Sequence, residues 1–237
     1  MRLYAIGDVH GCDTMLAEMH RKIADDRADR PVADHRIIHI GDYTDRGRDS
    51  AGVIGRLVSM TAADPRVICL KGNHDERLLA FLEEPAIVGP SYLSGSLGGH
   101  NTLRSYGVSV GKFGWLTGDV STLARKLEER MPASHHAFLE NLPLSARFGD
   151  YFFCHAGIMP GVPLDAQADD DLLWIRGPFL SETRDHGVVV VHGHTPVEHP
   201  EAKPNRINID TGAVYGGPLT CVVLDGTDHR FLSVAHG

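Results

Sequence analysis

Residues 41–47 read Gly-Asp-Tyr-Thr-Asp-Arg-Gly, which sets two carboxylates and a guanidinium between two glycines. Charges crowded this tightly are normally paired with each other or hold a metal. Alone, the stretch reads equally well as a solvated turn, because Gly, Asp and Thr are ordinary turn residues. Four other polar stretches change the balance. Gly7-Asp8-Val9-His10-Gly11 carries a carboxylate and an imidazole two positions apart, a good part-shell for a first-row divalent metal. Gly72-Asn73-His74-Asp75 offers an amide oxygen at Asn73 and an imidazole at His74 suited to proton donation. His155-Ala156-Gly157 and Gly193-His194-Thr195 each place one histidine after an apolar run. Singly, each of these histidines reads as a core or surface residue. His192, two before His194, reads as a structural neighbour rather than a ligand.

The elements that must position these residues follow one rule. Residues 2–6 read as a strand running into the first stretch, and 12–25 as a helix with Met15, Leu16, Met19 and Ile23 on one face and Asp13 as its N-cap. Residues 36–40 and 67–70 read as two further strands, each followed by an amphipathic helix. Every polar stretch thus begins where a strand ends, the place where ligands bind in open α/β sheets. Asp8 and His10, two apart at a strand end, are expected to point the same way. The second half turns to β character. A hairpin is expected over 144–154, with strands at 188–191, 207–209, 219–224 and 230–234. The expected fold class is α+β or α/β, with two stacked mixed β-sheets flanked by helices. A single domain over 1–237 is expected, with cap-like insertions at about 83–118 and 158–187.

Composition narrows the field. Of 237 residues, 31 are acidic and 23 basic, giving a net charge of −8. That balance argues against a nucleic-acid partner, although bound cations would reverse it locally for a phosphorylated substrate. The four cysteines have no CxxC spacing and three lie in apolar runs, so free thiols and a cytoplasmic setting are expected. No leader and no membrane-spanning run is expected. Fifteen histidines prompt the search for a metal site.

In order and spacing, the five stretches from Gly7 to Thr195, with Asp210-Thr211-Gly212 after them, resemble the phosphoprotein phosphatase branch of the calcineurin-like metallophosphoesterases. The resemblance implies two divalent metal ions: manganese is expected, with iron or zinc as alternatives. It implies that Asp8 and His10 bind the first ion, that Asp42 bridges, and that Asn73, His155 and His194 bind the second. It makes His74 the general acid, kept protonated by Asp45, and gives Arg46 and Arg176 the phosphate oxygens. The expected reaction is phosphomonoester hydrolysis on a phosphorylated protein or peptide, at phosphoserine or phosphothreonine with phosphotyrosine as a further option.

Departures from the pattern point elsewhere. Thr44 stands where Val is common, and Lys71 where Arg is frequent. Asp75 stands where protein phosphatases usually have Glu, and the Gly-Asn-His-Asp form also occurs in dinucleoside polyphosphate hydrolases. Diadenosine tetraphosphate hydrolysis is therefore the alternative. Asp45-Arg46-Gly47 and Trp174-Ile175-Arg176 pull back towards phosphomonoesters, as does a segment 83–118 with only Arg104 and Lys112 as cations. Tyr215 reads equally as an aromatic near the phosphate or as a packing residue. A catalytically idle binding module is disfavoured, because no ligand or acid position is missing.

Overall fold

The computed structural model describes residues 1–111 and 119–236. Lys112, Phe113 and Trp115 of the first insertion lie outside the described residues. Among the described residues, ten strands form two five-stranded mixed sheets, with helices on the outer faces. The first sheet holds β1 (Arg2–Ile6), β2 (His35–His39), β3 (Val67–Cys69), β9 (Leu219–Asp225) and β10 (Asp228–Val234), in the order β10-β9-β1-β2-β3. The second holds β4 (Ser145–Phe148), β5 (Tyr151–Cys154), β6 (Val189–His192), β7 (Glu201–Ala202) and β8 (Arg206–Asn208), in the order β4-β5-β6-β8-β7.

The two sheets share a plan. β1, β2 and β3 are parallel, as are β5, β6 and β8; the β9–β10 hairpin extends the first trio on one side, with β9 antiparallel to β1, while antiparallel β4 and β7 flank the second on both sides. In register, Ile6 faces His39 and His39 faces Cys69, while Val191 faces Ile207. The alternation of strand side chains builds three apolar layers. Leu3, Ala5, Ile38, Phe153, Val191, Ile207 and Val222 meet between the sheets. Tyr4 and Ile6 point the other way, onto helices. Phe152, Cys154 and Val190 line the opposite outer face. Truncating Phe153, fully buried between the sheets, to Ala would cost about 3–5 kcal/mol.

The helices on the first face are α1 (Asp13–Asp29), α2 (Ser50–Ala63), α3 (Asn73–Glu83), α4 (Pro85–Tyr92), α5 (Gly99–Ser105), α6 (Val120–Arg130) and α7 (Ala133–Glu140). Those on the second face are α8 (Asp169–Trp174) and α9 (Gly177–Leu180). α1 buries Met15, Leu16, Met19 and Ile23 as the spacing requires. Asp13 is not its N-cap. Cys12 takes that position without a side-chain bond, because Asp13 is drawn onto Arg56 at 2.7 and 2.8 Å. α2 is capped by Asp49, which accepts from the Gly52 amide at 2.8 Å.

The first insertion is more regular than its composition suggests. α4 begins on Pro85, which fits the first turn of a helix, and α5 matches the helix expected near 101–106. No described helix is long and apolar enough to cross a membrane.

Candidate metal centre and active site

Six polar stretches leave the carboxyl ends of the six parallel strands and meet at one edge of the two sheets. The backbone there is unusual. Among the described residues, five non-glycine positions have positive φ: His10, Asp42, Asp45, Arg46 and His194. All five are candidate site residues. Such conformations cost about 1–3 kcal/mol each and persist only where the surroundings hold them. Asp8 and His10 do not lie on the strand, as their spacing suggested. β1 ends at Ile6, and a loop brings His10 in with φ 42°. Two glycines allow the close approach. A Cβ at Gly72 would overlap Asp42, and one at Gly193 would overlap the carboxylate of Asp8.

Asp42 is central. Its Oδ2 lies 3.3 Å from His10 Nε2, and its Oδ1 lies 3.4 Å from His155 Nε2. The amide of His74 donates to Oδ1 at 3.0 Å, so the amino end of α3 is aimed at this carboxylate. Two groups of donors, each within 4.8 Å, share Asp42: one adds His10 and His74, the other Asp8 and His155. Asp8 therefore falls with His155, rather than only with His10.

The ring nitrogens show what the centre requires. A carbonyl can only accept, so His155 Nδ1, 3.0 Å from the Ile40 oxygen, carries the hydrogen. Its Nε2 then presents a lone pair to Asn73 Oδ1 at 2.8 Å and to Asp42 Oδ1. Burial holds the His155 pKa down, so a second proton is not favoured there. Three acceptors that converge without a hydrogen between them call for a cation. His10 is arranged alike, with Nδ1 bonded to the Thr44 carbonyl at 2.7 Å. His194 Nδ1 reaches Asn73 Oδ1 at 2.9 Å, and burial lowers its pKa to about 3.

The carboxylates agree. Burial raises Asp8 well above the ordinary range, and Asp210 and Asp42 add to the rise. Burial also raises Asp210. Asp42 moves the other way: burial pushes it up, but His155, His74 and His10 outweigh this and hold it well below the usual range. Of these imidazoles, His10 is itself raised, since Asp42 outweighs its burial. Buried carboxylates and neutral imidazoles of this kind fit hard-to-borderline divalent cations.

Around this core stand the groups suited to substrate chemistry. His74 Nδ1 lies 2.7 Å from Asp45 Oδ2, and both residues are buried. The His74 and His10 rings meet edge to face at 4.7 Å. Arg46 donates through Nη1 to His10 Nε2, and Arg176 donates through Nε to His194 Nε2 at 3.1 Å. The guanidinium of Arg46 also lies over the Tyr215 ring, 5.5 Å from its centroid.

The structure adds residues whose roles the sequence did not mark. Tyr92 Oη and Thr102 Oγ1 both donate to Asp45 Oδ1 at 2.7 Å. Two residues of the segment 83–118 therefore hold Asp45 in place. The Thr44 hydroxyl bonds Asp75 Oδ1 at 3.2 Å. Asp75 also accepts from the Tyr43 and Gly72 amides at 3.0 Å each, tying the 41–47 stretch to the start of α3. Asp210 follows β8 and is 4 % exposed beside Asp8 and Asp42. The strand-end rule would have marked it. His192 faces away, against Phe179 at 5.0 Å, with its Nδ1 on the Gly193 carbonyl.

The chain belongs to the calcineurin-like phosphoesterase family, whose description matches residues 1–223. Among its relatives are two named bis(5'-nucleosyl)-tetraphosphatase PrpE [asymmetrical]. The one from Oceanobacillus iheyensis is 28% identical, over 99% of this chain and 92% of that one. The one from Anoxybacillus flavithermus is 26% identical, over 92% and 88%. A crystal structure assigned as a diadenosine tetraphosphatase superposes with a TM-score of 0.69 at 22% identity, covering 100% of this chain and 95% of that one. A cold-active protein-tyrosine phosphatase from Shewanella shares the fold, with a TM-score of 0.61 at 18% identity over 98% and 80%.

Proposed function

We propose that the protein is a metal-dependent hydrolase of dinucleoside polyphosphates, with an asymmetrically cleaved dinucleoside tetraphosphate as its substrate class. The observation that carries this reading is the end-to-end likeness to relatives named as tetraphosphatases. Asp75 supports it. The position that departs from the protein phosphatase pattern is buried and bonded on three sides, so it belongs to the site. The phosphoprotein expectation gives way on these grounds, while hydrolysis at phosphorus is common to both readings.

Asp8, His10, Asp42, Asn73, His155 and His194 would hold two divalent ions, with Asp42 shared. When bound, such ions polarise phosphoryl oxygens and make water a nucleophile at neutral pH. The chain's own groups do the rest. Arg46 and Arg176 border the donor set on two sides and can turn N–H groups onto phosphate oxygens. These contacts strengthen as charge builds on the phosphoryl oxygens. Asp45 fixes the His74 ring through Nδ1, which leaves Nε2 to deliver a proton to the departing oxygen. Tyr92 and Thr102 hold Asp45 at the angle this requires.

The test is a substrate panel of diadenosine tetraphosphate, a phosphoserine peptide and p-nitrophenyl phosphate, with Mn²⁺ and with chelator. The dinucleotide should have the highest kcat/KM, and chelation should abolish turnover. A phosphopeptide preferred over the dinucleotide would return the assignment to protein phosphatase. Full activity after metal stripping would sink the mechanism.

A further inference from the structure

We propose that a cavity of about 460 Å³ beside Arg46 is the subsite for the phosphates beyond the reacting one. The inference rests on the polyphosphate reading above. The volume falls in the range of small-ligand pockets. Gly11, Cys12, Thr14, Arg46, Arg48 and His236 are among its walls.

The cavity adjoins the candidate centre through Arg46 and through Gly11, next in sequence to His10. Arg46 contributes to both: its Nη1 touches His10 of the donor set, while its side chain forms part of the cavity wall. Its Nε is buried and, among the described residues, has no acceptor. A buried guanidinium N–H without a partner calls for an anion or another acceptor. Arg48 stands two residues on, exposed and, among the described residues, without a salt bridge. Among the described residues no Asp or Glu side chain lines the cavity, although the chain carries a charge of −8. The one acidic side chain at the start of α1, Asp13, is bonded to Arg56 instead.

The remaining wall suits the same ligand. Thr14 lies in the first turn of a 17-residue helix, α1, whose amino end has no side-chain cap. That end adds partial positive charge and free N–H groups to the two arginines. A single phosphate held by Arg46 would leave Arg48 and the cavity unused. A chain of phosphates, bound at its reacting member by Arg46, would extend along Gly47 to Arg48.

The test compares Mn²⁺-loaded wild type, Arg48→Ala and Arg48→Lys. Each is assayed on diadenosine tetraphosphate and p-nitrophenyl phosphate. Inorganic tripolyphosphate and orthophosphate are then compared as inhibitors of p-nitrophenyl phosphate turnover at fixed free Mn²⁺. Arg48→Ala should lower the ratio of the two kcat/KM values about tenfold, through KM, the effect of losing one charge-assisted contact. Arg48→Lys should keep most of the ratio. Tripolyphosphate should inhibit wild type about tenfold more tightly than orthophosphate, and Arg48→Ala should lose that advantage. If wild type cleaves the dinucleotide but Arg48→Ala changes neither quantity, the subsite is wrong and the function stands. If wild type does not cleave the dinucleotide, the function reading fails. The inhibition then decides alone: an Arg48-dependent advantage for tripolyphosphate keeps the subsite, and none overturns it.

Discussion

His155 and His39 are both fully buried, each beside a second histidine, yet they stand in opposite situations. The His155 lone pair is aimed at two other acceptors, Asn73 Oδ1 and Asp42 Oδ1. His39 instead meets His20, Nε2 to Nε2 at 3.3 Å, so that one ring donates and the other accepts. Among the described residues, no carboxylate bonds to that pair. Burial holds His39 well below the ordinary imidazole range, with His20 adding to the effect, and burial lowers His20 to about 4. Burial alone therefore does not make a ligand. What separates the two pairs is where Nε2 goes: His39 and His20 satisfy each other there, although Nδ1 of both has no partner among the described residues, whereas Nε2 of His155 converges with other acceptors on one point.

Four experiments would break or sharpen this contrast. The largest effect is expected from Asp42→Asn, which removes the charge shared by both donor groups. Turnover should fall about a thousandfold or more, on the scale of losing electrostatic stabilisation at the reacting centre. Elemental analysis should show metal loss at the same time. Normal rate with full metal content would take Asp42 out of the centre. His74→Asn comes next, with turnover down roughly 10²–10⁴-fold and metal content kept. Because His74 lies in one donor group with His10 and Asp42, metal loss in this variant would make it a ligand and not the acid.

The third experiment addresses the other pair. His20 is pushed down from 6.5 to about 4 by burial, so the folded state binds fewer protons than the unfolded chain in that window. Its stability contribution is present above pH 6.5 and is lost as pH falls towards 4. The span corresponds to at most about 3 kcal/mol, less what partial solvent contact removes. Denaturant unfolding of metal-free protein at pH 7 and pH 4.5 should show the fall, and His20→Gln should flatten it. An equal slope in both would mean that other groups carry the acid response. Tyr92→Phe should have the smallest effect, about tenfold in kcat, the scale of one hydrogen bond to a charged group. Metal content should not change. If Tyr92→Phe left kcat intact, the insertion would have no part in positioning Asp45.

Much of the fold was legible because chemistry and periodicity change at the same residues. The apolar runs of β1, β2, β5 and β6 stop where the polar stretches begin. Elsewhere the signal was weak or absent. α4 was hidden by Pro85 and Pro90, which read as breakers although one starts the helix and the other lies near its end. β7 has only two residues and no pattern to find. The candidate ligands could be read because their types are chemically distinctive. The groups that aim them could not. Tyr92 and Thr102 are common residues, 47 and 57 positions from the carboxylate they hold. Asp13 misled because a cap and an ion-pair partner look the same until Arg56 is placed beside it.

The two hydroxyl contacts on Asp45 limit how such a scaffold can diverge. Insertions at sheet edges are usually free to change length and sequence as substrates change. Here the segment 83–118 also supplies the two hydroxyls that hold Asp45, the partner of the proposed acid His74. A graft from another chain of this fold would need an equivalent of Tyr92 and of Thr102 at the same reach. Without them it would alter what enters the site and also lower the rate for whatever enters.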